Sequence, residues 1–367
     1  MIYIIFMLLQ TVMVLWFTTE NIQNKPILMN KHSSDLAAKP RREIIGLCVF
    51  SAIYLFVIGA FRSSIVGYDS GQYQRRFSDI AKMSWDEVFK KYPINNEPFF
   101  YWFCKLISVF SRAPQMLFIV TGLIYAVATT CFIYNNSTNP AISFVMLFPM
   151  QFYSFLLTGM RQALAFSFVL IFYVLAKKKG RKIIYLLGVL IAFLFHKSSI
   201  AALPIIFISD KNVSARQRII WFAILPIVYI FGASILNVLK DFLYSEYVIS
   251  NEAAGTFMTM LMYFVIWAFY AFFTQSKTKR EKGENQIERL LMIGIMLQLL
   301  VPYQPNFFRV AMFYQIFSLF AVPKIVDAQM GESKKIIVLC FIGIIFLLFL
   351  GFTYFSCGIN PFEFFWE

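Results

Sequence analysis

Charge is what this 367-residue sequence has least of. Asp, Glu, Lys and Arg make up 14% of it, where a soluble domain carries about 25%. Histidine occurs twice, at His32 and His196. The cysteines at positions 48, 104, 131, 340 and 357 are scattered and form no CxxC pair, so they suggest neither a metal site nor a disulfide framework. There is no GxxxxGK[ST], no GxGxxG in strand context, no HExxH and no DxD. These absences argue against ATP-driven transport, nucleotide-cofactor chemistry and nucleotide-sugar transfer on a cytoplasmic domain, and no cofactor is expected. No internal repeat or low-complexity segment stands out. The first apolar segment has no basic stretch ahead of it and no small-residue cleavage pattern before Glu20, so it reads as a span rather than a cleaved signal.

What is present is greasy. Hydrophobic residues make up 59% of the chain, with 44 phenylalanines. Apolar runs cover residues 2–18, 44–61, 115–134, 140–157, 160–176, 183–209, 219–239, 257–274, 289–301, 307–322 and 336–354. They run from 13 to 27 residues, against the roughly 20 that cross a bilayer. The expected architecture is an all-α polytopic integral membrane protein of about 11–13 transmembrane or re-entrant helices, one domain over residues 1–367.

The net charge of +14 would suggest nucleic acid in a soluble protein. Here Lys and Arg gather in five short segments, 25–42, 177–182, 211–218, 277–289 and 324–335. The positive-inside rule places all five in the cytoplasm, so the excess is assigned to topology and lipid headgroups, with no nucleic-acid partner. Residues 62–98 and 240–256 then form extracytoplasmic loops, as do Thr158-Gly159, 302–306 and the tail after 355. Two segments must depart from plain crossings. The run 98–110, which carries Lys105, becomes a half-buried or re-entrant helix on the outer side. The run 183–209 becomes a short-armed helical hairpin with its apex near His196-Lys197-Ser198. Broken helices persist in a membrane only where protein or a wet cavity surrounds them, which makes both segments candidates for a site.

Ionisable groups inside apolar segments are functional candidates. Arg161 follows the helix-breaking Gly159. Arg309 follows Pro302 and Pro305, with Asn306 as the expected N-cap. Both arginines sit near helix N-termini, where the macrodipole already favours anions. That design suits a phosphate held by free amides and guanidinium forks; the bland alternative is snorkelling to headgroups. His196, at the proposed apex, is a candidate base or phosphate donor. With no neighbouring Cys or carboxylate in sequence it makes a poor metal ligand. In the outer loop, Asp69 and Glu97 adjoin the membrane and are the candidate carboxylates for taking a proton from a hydroxyl, with Arg62 as a secondary anion contact. Tyr244 and Tyr247 in the second outer loop are a candidate sugar platform, or part of an interfacial aromatic belt.

The order of these residues resembles a known family. An Arg ahead of G-Y-D-x-x-x-Y (Arg62, Gly67, Asp69, Tyr73) precedes N-E-P (Asn96, Glu97, Pro98). Then come R-Q-x-L-A (Arg161 to Ala165), H-x-S (His196, Ser198) and R-x-x-x-[YF]-Y (Arg309, Phe313, Tyr314). The pattern is similar to the EpsG-type branch of the Wzy polysaccharide polymerases of O-antigen, capsule and exopolysaccharide assembly. It departs near Ser70, where the family usually carries Thr or Asn.

The resemblance implies a glycosyltransferase of the bacterial inner membrane with its site facing the periplasm. It would join oligosaccharide units carried on undecaprenyl diphosphate without nucleotide sugar. Lipid-linked donor and acceptor, membrane lipids, a chain-length regulator and a flippase are the implied partners. Arg161, Arg309 and Arg62 would bind diphosphate. His196, Asp69 and Glu97 would be catalytic, and Tyr73, Gln162, Ser198 and Tyr314 would contact substrate. The alternatives are an O-antigen ligase-type transferase, a lipid-linked oligosaccharide flippase or other transporter, and a membrane acyltransferase. A transporter would show mid-membrane charges and two pseudo-symmetric halves. An acyltransferase would want a His paired with a nearby acid, which the sequence around His196 does not supply.

Overall fold

The computed structural model describes residues 38–94, 97–243, 257–275, 283–328 and 362–367, with scattered positions elsewhere. The expected spans 2–18 and 336–354, Asn96, and Tyr244 and Tyr247 with the rest of the second outer loop lie outside the described residues apart from those scattered positions. The chain is an all-α polytopic membrane protein. It divides into two compact units: residues 1–197 with 330–367, and residues 198–329.

In the first unit three helices are long and apolar enough to cross a membrane: Arg42–Phe61, Gln115–Asn136 and Met160–Lys179. They lie within α1 (Ala38–Phe61), α5 (Gln115–Asn136) and α8 (Met160–Lys179). α5 packs between α1 and α8, and α9 (Lys182–Phe195) packs along α8. Charge closes α8 at its far end. Lys177, Lys178 and Lys179 occupy its last turn, and Gly180 follows in the left-handed region, an arrangement that satisfies the terminal carbonyls and suits the helix dipole.

The segment between α1 and α5 is built of shorter helices. α2 (Ser70–Lys82) follows a turn that demands glycine: Gly67 has φ +92°, and a Cβ there would lie 2.0 Å from the Leu157 carbonyl oxygen. Ser70 Oγ donates to the Val66 and Leu157 carbonyls, which fastens the turn down. α3 (Trp85–Lys91) opens with a capping box, Ser84 and Glu87 each satisfying the other's backbone amide. α4 (Pro98–Phe110) begins with proline in its first turn and has 13 residues, too short to span upright, as its sequence suggests. It packs on α2 and on α9, where Phe195 sits edge-on to Phe99 and Phe103.

The run 140–157 is not one crossing. It is two short helices, α6 (Pro140–Met146) and α7 (Phe152–Thr158), with Gln151 between them in the left-handed region at φ 62°. Asn139 caps α6, and the Tyr125 hydroxyl donates to the Phe152 carbonyl, so α5 holds the break in place. Hydropathy cannot register such a break, because the turn residues around it are themselves apolar. The C-terminal residues also belong to this unit. Arg62 bridges Phe364 in antiparallel fashion, Ser63 N–H donates to the Glu363 carbonyl at 2.8 Å and Phe365 N–H to the Phe61 carbonyl at 2.9 Å.

The second unit holds a 3-10 stretch that the chain enters at Lys197–Phe207, then α10 (Ala215–Ile230), α11 (Gly232–Leu243), α12 (Phe257–Gln275), α13 (Glu284–Gln298), a 3-10 turn (Pro305–Phe307), α14 (Phe308–Gln315) and α15 (Ser318–Asp327). α10 and α11 meet at 78°, and the pair ending in α15 bends by 45°; each pair is long and apolar enough to count as one broken span. Gly232 sits at the first bend, where a Cβ would strike the Tyr303 ring at 2.4 Å. Tyr303 donates to the Tyr229 carbonyl at 2.6 Å and packs with Leu236, Leu300, Val301 and Phe307.

The expected run 289–301 is corrected by α13, which starts at Glu284, inside what reads as a charged loop. Its acids are neutralised rather than solvated. Glu288, fully buried, takes a bidentate pair from Arg218 at 2.6 and 3.0 Å, and Glu284 pairs with Lys324 at 3.0 Å. The Asp210 carboxylate accepts from the Gly283 and Gln286 amides and thereby caps the helix.

Candidate functional site

The N-terminal end of α8 is the place where chemistry collects. α7 stops at Thr158, Gly159 stands at the break, and Arg161 falls in the first turn of α8, as the Gly-Met-Arg sequence implies. Its guanidinium meets an anion of the protein's own: Nη1 donates to Glu97 Oε2 at 2.9 Å. The side chain remains 29% exposed. Its Nε–H is buried and makes no hydrogen bond among the described residues. The Tyr73 hydroxyl, from α2, lies near the same guanidinium.

Glu97 is the hub. It precedes α4 at φ 49°, ψ 53°, a left-handed conformation that a non-glycine residue ahead of a proline adopts at a cost of about 1–3 kcal/mol. That geometry turns its carboxylate toward two donors and the His196 ring. Besides Arg161, His196 Nδ1 lies 2.9 Å from Oε1, and the Lys197 amide donates to Oε1 at 2.9 Å. Burial alone would push this carboxyl up. The His196 ring, the Lys197 amide and the Arg161 guanidinium outweigh that and hold it down at about 2. A carboxylate so far below its ordinary value is a poor proton acceptor, so Glu97 is anchored as an anion rather than poised as a base.

His196 ends α9 in an extended conformation, with Phe195 wedged against Phe99, Phe103 and Phe168 behind it. The helix therefore breaks where the hairpin apex is expected. The acid that His196 lacks in its own sequence neighbourhood is supplied by Glu97 from another helix. The members of this cluster are legible in the sequence, but their pairing is not. Nor is the ring wall beside it, where Tyr101 stacks on Tyr92 at 3.7 Å and Arg76 lies over Tyr101 at 5.8 Å. The R-R-F pattern of α2 opposite the aromatic-rich α4 was the available signal.

The other expected residues are placed differently. Arg62 is 1% exposed, and its guanidinium is engaged by the Gly59 and Leu156 carbonyls and the Phe118 ring at 4.1 Å, which makes it a clasp at the end of α1. Asp69 stands at the N-cap position of α2 without capping it, and its carboxylate makes no hydrogen bond or ion pair among the described residues. Gln162 is buried on α8.

In the second unit, Ser198 is buried in the 3-10 stretch, and the Tyr314 hydroxyl donates to the Ala201 carbonyl at 2.7 Å. Arg309 falls in the first turn of α14, with its guanidinium 5.8 Å from the Phe308 ring centre. The cap before it is Gln304, whose side chain accepts from the Asn306 amide at 2.8 Å, so the capping role expected of Asn306 belongs to Gln304. Among the described residues no group of three His, Cys, Asp or Glu side chains is arranged to hold a metal.

Compared with known proteins, residues 45–364 match the model of the EpsG family. No curated protein and no solved structure matches.

Proposed function

The chain belongs to the EpsG family, whose members are Wzy-type polysaccharide polymerases, and on that premise we propose that it joins oligosaccharide repeat units carried on undecaprenyl diphosphate at the periplasmic face of the inner membrane. In this reaction the growing glycan leaves its lipid diphosphate and passes to a hydroxyl of the incoming unit. Negative charge grows on the leaving diphosphate as the glycosidic bond breaks. A guanidinium fixed before the reaction stabilises that charge better than water, which must reorganise.

The observation that carries the reading is Arg161, held at a helix start by Glu97 while one N–H and nearly a third of its side chain stay uncommitted. Arg309 occupies the same kind of position in its own unit, in the first turn of its helix. His196 is the group for the acceptor proton. Arg62 is left out of the anion site because its carbonyl and ring contacts account for it. Cleavage of the sugar–diphosphate bond drives the transfer, so neither nucleotide sugar nor ATP is required.

A deletion strain tests the assignment. Surface glycan reduced to a single capped repeat, without a ladder, is the expected result. Loss of all surface glycan would point instead to a flippase, and a full ladder that never reaches its anchor would point to a ligase.

A further inference from the structure

Most of α8 is buried. From its first turn to its terminal lysines, the positions left part-exposed are Arg161, Phe168, Ile171, Phe172 and Leu175. Their spacings of three, four and seven residues put them on one face. At 1.5 Å per residue, Phe168 stands about 10 Å along the helix from Arg161 and Leu175 about 21 Å, against a hydrocarbon core of about 30 Å. The face thus has one cation at its start and only apolar side chains after it. That is the complement of a long amphiphile with an anionic head.

Rings close in the first apolar part of this face. Phe168 stacks on Phe195 of α9 with centroids 5.1 Å apart. Phe99 and Phe103 of α4 meet the same ring edge-on, at 5.7 and 5.9 Å. Phe195 is buried, whereas Phe99, Phe103 and Phe168 each keep part of their surface exposed. The chain ties this corner to the anion site from both sides. Phe99 follows Glu97 by two residues, and Phe195 precedes Lys197 by two. The Lys197 amide donates to the carboxylate that holds Arg161. A bilayer phospholipid could also wet these rings, but only a lipid whose anion is the ligand of Arg161 would depend on that arginine for its place.

We propose that the corner made by Phe99, Phe103 and Phe168 around Phe195 receives the first isoprene units of the donor's polyprenyl chain, whose diphosphate Arg161 holds. The proposal rests on the polymerase reading and deepens it by giving the lipid carrier a subsite of its own. An isoprene unit is apolar and flat about its double bond, and it can lie against ring faces and edges as another ring would. Seating the tail fixes the depth of the diphosphate, and with it the position of the anomeric carbon. Binding energy from a part of the substrate that does not react is thereby used to orient the part that does.

Photocrosslinking tests the corner with little change of shape. The full chain with Phe168→benzoylphenylalanine is placed in vesicles of phosphatidylethanolamine and phosphatidylglycerol that contain undecaprenyl diphosphate, and the adduct is weighed after illumination. The expected product carries undecaprenyl diphosphate, and adding Arg161→Ala should reduce it about tenfold or more. The same photoreactive residue at Leu123, on the exposed face of α5, should capture phospholipid alone. Phospholipid as the sole adduct at Phe168, or an undecaprenyl adduct indifferent to Arg161→Ala, overturns the proposal.

A second measurement guards against a folding defect. Phe168→Ala should weaken undecaprenyl diphosphate as an inhibitor of chain extension about tenfold or more, and leave inorganic pyrophosphate within about twofold. Equal losses for the two probes overturn the subsite. Wild-type protein that extends chains but gives neither result keeps the polymerase reading and loses the subsite. Protein that captures undecaprenyl diphosphate at Phe168 yet cannot extend a lipid-linked oligosaccharide keeps the subsite and refutes the polymerase reading.

Discussion

Arg161 divides its guanidinium between a carboxylate of its own chain and whatever anion the site receives. A lysine has charge but no planar fork, so it can serve one of these partners and not both. Arg161→Lys is therefore expected to fail almost as badly as Arg161→Ala, each losing about a hundred- to thousand-fold in polymer formation; full-length glycan from Arg161→Lys cells would contradict it. Glu97 gives a second expectation, on acid stability. Its carboxyl lies at about 2 in the folded protein against an ordinary 4.5. A depressed pKa contributes stability that is complete above the ordinary value and drains away as pH falls through the folded one. Thermal melts of wild type and Glu97→Gln should diverge most above pH 4.5 and converge toward pH 2, and parallel curves would count against the pairing. Arg161 and His196 were legible in the sequence because an ionisable residue inside an apolar run is conspicuous. The pairing was not, since Arg161 lies 64 residues from Glu97 and Lys197 lies 100 away, and only the packing of α4 against α9 brings them together.

Among the elements, α13 shows what hydropathy conceals. Glu284 and Glu288 read as the edge of a charged loop, yet both are buried in its first turns, and Asp210 and Arg218 make the helix start there possible. Their spacing of one turn on a common face was the signal. Removing one member of a buried pair leaves the other charge without compensation at a cost of about 3–5 kcal/mol, whereas replacing both with apolar residues is often nearly neutral. Arg218→Met should thus destabilise the protein far more than the double variant Arg218→Met, Glu288→Leu, as read from melting in detergent; equal losses would show that the bidentate contact carries little. The run 140–157 misleads in the opposite direction, because its mean hydropathy masks Pro149 and the left-handed Gln151, of which the proline was the available signal of a break. The breaks at Gly159 and at His196, by contrast, follow from glycine and from an isolated polar triplet, and both are where the sequence suggests.

For the whole molecule, the distribution of Lys and Arg gives the expected orientation. The loop after α8 carries Lys177 to Lys182, and the segment with Glu97 lies at the other end of that helix's neighbours. With all native cysteines replaced, a cysteine at Lys178 should react with an impermeant maleimide only in inverted vesicles, and one at Ser84 should react in intact cells. The reverse pattern would turn the site toward the cytosol and remove it from any periplasmic substrate. Membrane character and the helical class follow directly from composition, whereas how short helices fill the segment between α1 and α5 depends on contacts that composition does not encode.

One feature at this scale reaches into experimental practice. Residues 362–367 lie against 61–63 as a short antiparallel seam, with Phe365 stacked on Phe61 and Trp366 beside it. The same three positions include Arg62, the clasp between the first helix and the Leu156 carbonyl. A fluorescent or affinity fusion placed after Glu367 pulls directly on this join, and a reporter enzyme attached there to map topology would perturb the structure it is meant to read. Fusions inserted at Gly180, in the exposed turn after Lys179, leave the seam intact and are the safer handle for purification.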